Sequence, residues 1–225
     1  MPVDPNAEIE VTALKWAPES VHGLVKDLRI RWALEEAGLD YRVRLVGADK
    51  PDGYLKDQPF NQVPCFRDSD VRIFESGAIV QYIGETSEAL LPRDPQGRYA
   101  AIQWTCAALN SVEPFIQYRA LLDSVWAAED WAEPSKPTWD RLARLRLRQL
   151  SDHLADKQWL AGERFTIGDL MMVTVLRIAE RGRLLASYPV LAAYVKRGQA
   201  RAAFQQALSD QLAGFREHEP QGAAA

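Results

Sequence analysis

The sequence predicts an α/β domain with a mixed sheet, followed by an all-α bundle. The period of the apolar pattern changes once, from short strand-like runs before residue 88 to helical spacing after residue 95. Between them, Leu90-Leu91-Pro92-Arg93-Asp94-Pro95 has the proline content of a linker. The first part also contains the stretch from Gln62 to Tyr82, QVPCFRDSDVRIFESGAIVQY, which reads as a hairpin running directly into a helix. Domains are therefore expected at 1–88 and 89–225, with the linker at about 88–95.

In order, residues 9–16 read as a strand, 24–38 as a helix closed by Gly38, 41–46 as a strand and 51–57 as a short helix. Strands at 63–67 and 71–74, joined by the polar turn Asp68-Ser69-Asp70, lead into a helix at 75–86. This order, βαβ then ββα, is that of a mixed sheet covered by helices. Beyond the linker nothing reads as a strand, and helices are expected at about 95–123, 136–156, 166–182, 189–198 and 201–212. In the second of these Leu142, Leu145, Leu150 and Leu154 keep to one face, while Arg141, Arg144, Arg146 and Arg148 mostly cover the rest as a solvated surface. Thr166 is a good N-cap, and Asp169 three residues on can reach back to its backbone N–H as a shortened capping box.

Composition narrows the function classes. A chain of 225 residues, 47% hydrophobic and 26% charged, holds one large domain or two modest ones. A net charge of −4 argues against a nucleic-acid surface, which needs clustered Lys and Arg to neutralise phosphates. No stretch approaches the ~20 apolar residues that span a bilayer. The start, MPVDPNAEIE, is polar and acidic, unlike a secretory signal, so a cytoplasmic location is expected. Cys65 and Cys106 lie in different elements and form no CxxC pair. Cys65 beside Pro64 invites a nucleophilic role, but between Pro64 and Phe66 on a strand it reads as a small buried hydrophobe. Cys106 falls in an apolar helix.

The hairpin carries the chemistry. Pro64 lacks a backbone donor, so the strand it heads leaves a neighbouring backbone position, at Val63, for something else to pair with. At the helix start, free N–H groups, the positive end of the helix dipole and the Ser76 hydroxyl converge into a site for a carboxylate. Glu75 beside it can hold an ammonium. A ligand suiting both ends is peptide-like with an amino-acid head group, and glutathione fits that description.

The stretch resembles the thioredoxin-like domain of the glutathione transferase superfamily, whose Val-Pro, with the proline in cis, and Glu-Ser motifs match Val63-Pro64 and Glu75-Ser76. The resemblance extends along almost the whole chain. Arg29-Ile30-Arg31-Trp32-Ala33-Leu34-Glu35-Glu36-Ala37-Gly38 matches the helix after strand one, while Phe165-Thr166-Ile167-Gly168-Asp169 and Tyr188-Pro189-Val190-Leu191 match segments of the helical domain. It implies glutathione as co-substrate, an electrophilic small molecule as second substrate, a homodimer, and no metal, nucleic acid or membrane. It also implies that Gln62 contacts the glycine carboxylate, and that Trp16 with Trp104, Ala108 and Ser111 at helical spacing borders the second substrate.

Such an enzyme stabilises the bound thiolate. A free thiol of pKa ~8.5 is mostly protonated at neutral pH, and lowering it by ~2 units requires ~2.7 kcal/mol. The donor is expected between strand one and helix one. There, Trp16-Ala17-Pro18-Glu19-Ser20-Val21-His22-Gly23-Leu24-Val25 contains no tyrosine or cysteine. Families that use serine place it four or five residues before the arginine matching Arg29, where this chain has Leu24 and Val25. Ser20 is the hydroxyl left. His22 and the backbone N–H groups around Gly23 are the other options. Three functions follow: glutathione transfer to an electrophile, glutathione-dependent disulfide or peroxide reduction, and a binding protein that keeps the fold without catalysis.

Overall fold

The computed structural model describes residues 3–220, which divide into two compact units. Residues 3–90 form the first together with 201–220, and Leu91–Ala200 form the second. The last helix therefore packs with the first unit, a return of the chain that composition does not signal.

In the first unit four strands, β1 (Ile9–Leu14), β2 (Tyr41–Val46), β3 (Cys65–Arg67) and β4 (Arg72–Phe74), form one sheet in the order β2-β1-β3-β4. β1 pairs parallel with β2, Val11 opposite Val43, and antiparallel with β3, Val11 opposite Phe66. The short β3–β4 ladder puts Phe66 opposite Ile73. Helices α1 (Asp27–Ala37), α2 (Ser76–Thr86) and α8 (Ala202–Glu217) complete the unit, and the expected short helix at 51–57 is a single 3₁₀ turn, Tyr54–Lys56. This is a thioredoxin-like domain followed by a helical one.

Strand alternation gives the sheet two unlike faces. Val11, Ala13 and Phe66 are buried, and Phe66 meets Tyr82 of α2 edge-on at 5.6 Å. On the opposite face Glu10 accepts from Arg42 at 3.2 Å and Arg67 at 3.0 Å, while Asp57 accepts from Arg44 at 3.1 Å and Arg72 at 2.9 Å. The 3₁₀ turn covers the rest of that face, where Val46, Tyr54 and Cys65 form a small core with Val63 and Phe74 against it.

α1 starts at Asp27, three residues later than expected, and ends where Gly38 takes the left-handed conformation at φ 68°. Its C-terminal carbonyls are satisfied by the amides of Gly38, bonded to Glu35, and Leu39, bonded to Leu34. α8 lies against α1 through Phe204, Ala207, Gln211 and Phe215, a stripe at helical spacing, with Trp32 edge-on to Phe204 at 4.9 Å. Arg201 pairs with Glu36, whose carboxylate also accepts from the Trp32 indole at 2.9 Å.

The second unit contains α3 (Pro95–Ala107), α4 (Glu113–Leu121), α5 (Ala132–His153), α6 (Ile167–Arg181) and α7 (Pro189–Gln199). The continuous helix expected at 95–123 is interrupted by a π-turn, Ala108–Val112. Pro114 explains the break: it lacks the donor for a regular turn and its ring crowds the carbonyl four residues back. α5 begins four residues before the expected 136, because Pro134 lies in the first turn, where no donor is needed, and Pro137 forfeits one hydrogen bond. Its buried stripe is Ala143, Leu147, Leu150 and Leu154, with Leu142 and Leu145 half-buried beside it. α6 is apolar nearly all round and forms the core of the unit. Gly168 permits its approach to α3, since a Cβ there would lie 2.7 Å from that of Trp104. Among the described residues no helix is long and apolar enough to cross a membrane.

Asp169 does more than cap. It is fully buried and accepts from the Thr166 amide at 2.9 Å, the Thr166 hydroxyl at 3.2 Å, the Leu160 amide at 2.8 Å and the Tyr194 hydroxyl at 2.9 Å. It ties the segment before α6 and the helix α7 to one carboxylate. Asp169→Ala should therefore cost about 2–4 kcal/mol, because buried donors lose their acceptor together. Chemical denaturation measures this, and a loss below about 1 kcal/mol would show that the donors find other acceptors.

On the α1–α8 seam one oxygen of Glu35 and one of Asp210 are buried without hydrogen-bond partners. Burial and then the Asp210 charge push the Glu35 carboxyl from its ordinary 4.5 to about 7. The folded state thus holds this proton more tightly than the unfolded chain, so the contribution is complete below pH 4.5 and is lost as pH rises through about 7. Glu35→Gln should leave the thermal midpoint near that of the parent at pH 4 and raise it at pH 8. Parallel pH profiles for parent and variant would contradict this coupling.

Candidate functional site

The Val63–Pro64 peptide is cis. Pro64 is buried, and Val63 stands ahead of the β3 ladder, which opens only at Cys65. Tyr54 fixes this approach from below: its hydroxyl donates to the Gln62 carbonyl at 2.6 Å, which leaves the Gln62 side chain exposed. Cys65 is buried 3.6 Å from that hydroxyl, and burial pushes its thiol up, the opposite of what a nucleophile requires.

Directly after β4 the backbone turns at Glu75, with φ 70° and ψ 115°. A left-handed conformation at a glutamate stores about 1–3 kcal/mol and persists because the strand before it and the helix after it are both fixed. The turn leaves the Glu75 carboxylate exposed and drops Ser76 into the first turn of α2, 4% exposed. No side chain caps this helix start, so its first amides keep their donors. The Ser76 hydroxyl accepts from Nη1 of buried Arg29 at 3.1 Å. A guanidinium cannot accept, so the serine proton points elsewhere, and the hydroxyl is oriented as a donor. In the sequence Arg29 stands out only as a landmark for the loop before it. An arginine within the apolar part of a helix was the available signal.

The β1–α1 loop holds the remaining candidates. Ser20 is exposed on a one-turn 3₁₀ helix, Glu19–Val21. His22 is half-buried, with Nε2 2.8 Å from the Ala17 carbonyl and its ring stacked on Phe215 at 5.1 Å. Of the five amides from Val21 to Val25, four are engaged in the structure. Val21 donates to Pro18, His22 to Glu19 and Leu24 to Val21, while Gly23, at φ 71°, donates to the Gln211 side chain at 3.2 Å. Gly23 is thus committed to α8 rather than open to a sulfur, and among the described residues the Val25 amide is the one not so engaged.

The four residues expected at the second-substrate site fall in two units. Trp16 is half-buried in the first unit. In the second unit Trp104 is half-buried with its ring tilted against that of His153 at 4.5 Å, Ala108 is fully buried, and Ser111 is exposed on the π-turn. Ala108 serves helix packing, which leaves half-buried Trp104 and exposed Ser111 as the accessible members of that set in the second unit. Cys106, expected in an apolar setting, is exposed on α3. Among the described residues no cluster of three or more His, Cys, Asp or Glu side chains is placed to hold a metal.

A cis Val-Pro before an edge hairpin, a strained Glu-Ser at a helix start and a helical second unit define a class, and comparison with known proteins agrees. Residues 21–85 match the family model "Glutathione S-transferase, N-terminal domain" and residues 124–202 match "Glutathione S-transferase, C-terminal domain". The chain is 30% identical over 188 residues to glutathione S-transferase GstA of Escherichia coli O157:H7, covering 78% of this chain and 89% of that one. It is 28% identical over 193 residues to disulfide-bond oxidoreductase YfcG of Escherichia coli strain K12, covering 80% and 88%. Among solved structures, a glutathione transferase family member from Pseudomonas fluorescens with two glutathione bound superposes with a TM-score of 0.78 at 24% identity, covering 91% of this chain and 93% of that one. A glutathione transferase from Pseudomonas putida with one glutathione disulfide bound superposes with the same score at 22% identity, covering 92% and 93%. The chain belongs to the glutathione transferase superfamily.

Proposed function

We propose that this chain binds glutathione and transfers its thiolate to an electrophilic small molecule. The observation that carries the reading is the Arg29–Ser76 hydrogen bond, which aims a buried hydroxyl at the open start of α2 beside the exposed Glu75 carboxylate. In this reading Ser76 and the first amides of α2 hold the γ-glutamyl carboxylate and Glu75 holds the ammonium. The cysteinyl backbone pairs with Val63, ahead of the β3 ladder and beside cis Pro64, and Gln62 reaches the glycine carboxylate. Catalysis then rests on orientation and on stabilising the thiolate, with no covalent enzyme intermediate. Ser20 supplies the hydroxyl that faces the sulfur, and the Val25 amide is the backbone donor left in the same loop. Trp104 and Ser111 of the second unit border the electrophile. The protein acts in the cytoplasm as a homodimer, in detoxification.

A second reading is glutathione-dependent disulfide reduction. It is favoured by the similarity to a protein named as a disulfide-bond oxidoreductase and by a loop with no tyrosine or cysteine. Retention on immobilised glutathione, followed by parallel assays with an aryl halide and with a small glutathione mixed disulfide, separates the readings. Conjugation supports transfer, disulfide turnover alone supports reduction, and retention without either reaction identifies a binding protein.

Two variants test the assignments within the site. Ser76→Ala should raise the dissociation constant for glutathione about tenfold or more, since a hydrogen bond to a charged group is worth ~1.5–3 kcal/mol. Calorimetry on the folded variant measures it, and unchanged affinity would remove Ser76 from the site. Ser20→Ala should raise the pKa of the bound thiol by about one unit and slow conjugation at mildly acidic pH about tenfold, with much of the rate restored at high pH. Ultraviolet titration of the bound thiolate reads this, and a curve superimposable on that of the parent would transfer the role to the Val25 amide.

A further inference from the structure

One buried side chain outside the expected site is spent entirely on the loop that carries it. Gln211 of α8 is 1% exposed, and its carboxamide reaches three points at alternate positions along the chain. Its Oε1 accepts from the Gly23 amide at 3.2 Å, and its Nε2 donates to the Val25 carbonyl at 3.3 Å and to Asp27 Oδ1 at 2.7 Å. The other Asp27 oxygen accepts from Arg31 Nε at 2.7 Å, and this ion pair is itself buried. A carboxamide has two donor hydrogens, and both are used here. No neutral side chain of this length other than glutamine supplies both an acceptor and two donors.

The grip falls on both sides of Leu24, whose own amide is bonded back to the Val21 carbonyl at the end of the Ser20 turn. Leu24 is thereby held between two points gripped by α8, and its bond to Val21 links the Ser20 turn to that grip. Gly23 sits at φ 71°, a conformation that an isolated loop has no strong reason to keep. The segment lies between the end of β1 at Leu14 and the start of α1 at Asp27, without a regular element of its own beyond the single 3₁₀ turn, and His22 ties it to the same helix by stacking on Phe215 at 5.1 Å.

We infer that Gln211 is a positioning residue for the thiol of bound glutathione: through Gly23, Val25 and Asp27 it fixes the loop that presents Ser20 and the Val25 amide. This rests on the proposal that the loop faces the thiol. It assigns a role in the reaction to the C-terminal helix, through the backbone rather than through contact with substrate. The consequence is a split between recognition and activation, because Gln211 has no bond to Val63, Glu75 or Ser76.

The test uses Gln211→Met, which keeps length and apolar packing but removes every hydrogen bond, beside Gln211→Asn, which keeps the amide one methylene short. Phe204→Leu is the control, on the same helix but packed on Trp32 rather than on the loop. In the parent the thiol of bound glutathione should titrate below that of free glutathione. In Gln211→Met it should move up by about one unit, conjugation at mildly acidic pH should fall about tenfold, and amides 21–25 should exchange with deuterium at least tenfold faster. Affinity for S-methylglutathione, which has no thiol to activate, should stay within about twofold. Phe204→Leu should lower the denaturation midpoint and leave the thiol titration unchanged. If Gln211→Met fails to fold, the same shifts at reduced size are required of Gln211→Asn. A parent thiol that titrates as free glutathione does would overturn the thiol-facing reading of the loop, and this inference with it. A lowered parent value that both variants preserve would overturn the inference alone, as would a Phe204→Leu shift matching that of Gln211→Met.

Discussion

A buried arginine must spend its donors inside the protein, and where Arg29 spends one determines what the rest of the first unit can do. Its guanidinium, 3% exposed on α1, donates to the Ser76 hydroxyl on α2. The contact joins the two helices at the point where β4 hands over to α2, and it consumes one acceptor site of the serine while leaving its proton available. The Glu75 backbone supports the same arrangement from the other side. Held at φ 70°, it turns the chain so sharply that residue 75 faces solvent and residue 76 faces Arg29. A ligand's head group would thus meet a carboxylate, an oriented hydroxyl and open helix amides within two residues of sequence. Removing the arginine would leave the serine free to turn its proton inward.

The second organising feature is the seam between α1 and α8. Trp32 on Phe204 and His22 on Phe215 supply aromatic contact at its two ends, and between them Asp27, Arg31 and Gln211 form a buried polar network. Burying an ion pair and an amide gains little stability over apolar packing of the same volume. Such a network does fix a register, since Gln211 satisfies Gly23, Val25 and Asp27 at once in one position of α8 along α1. On the same seam one oxygen of Glu35 and one of Asp210 are left buried without partners.

Much of this was legible in the sequence because it is local. The hairpin, its turn and the helix that follows are written in 21 consecutive residues, and period, proline and glycine place most elements within a few residues of their observed bounds. Asp169 as a cap was readable from its spacing to Thr166, whereas its bonds to Leu160 and Tyr194 were not, since they join α6 to segments whose proximity is a tertiary fact. Pro114 broke a helix that apolar spacing carried through, while α5 opens four residues before its expected start with Pro134 in its first turn. Gln211 was illegible for a simple reason: a glutamine on an amphipathic helix has no pattern of its own, and its partners lie more than 180 residues earlier. Ala108 satisfied helical spacing for a binding face, but the same spacing describes a packing face, and that is where it lies.

The most direct measurement is a crystal structure of this chain with glutathione bound. The account requires the γ-glutamyl group within hydrogen-bond distance of the Ser76 hydroxyl and the Glu75 carboxylate, the cysteinyl backbone paired with Val63, and the sulfur facing the Ser20–Val25 segment. Glutathione seated elsewhere in the molecule, or a saturated crystal with Ser76 still uncovered, would contradict it.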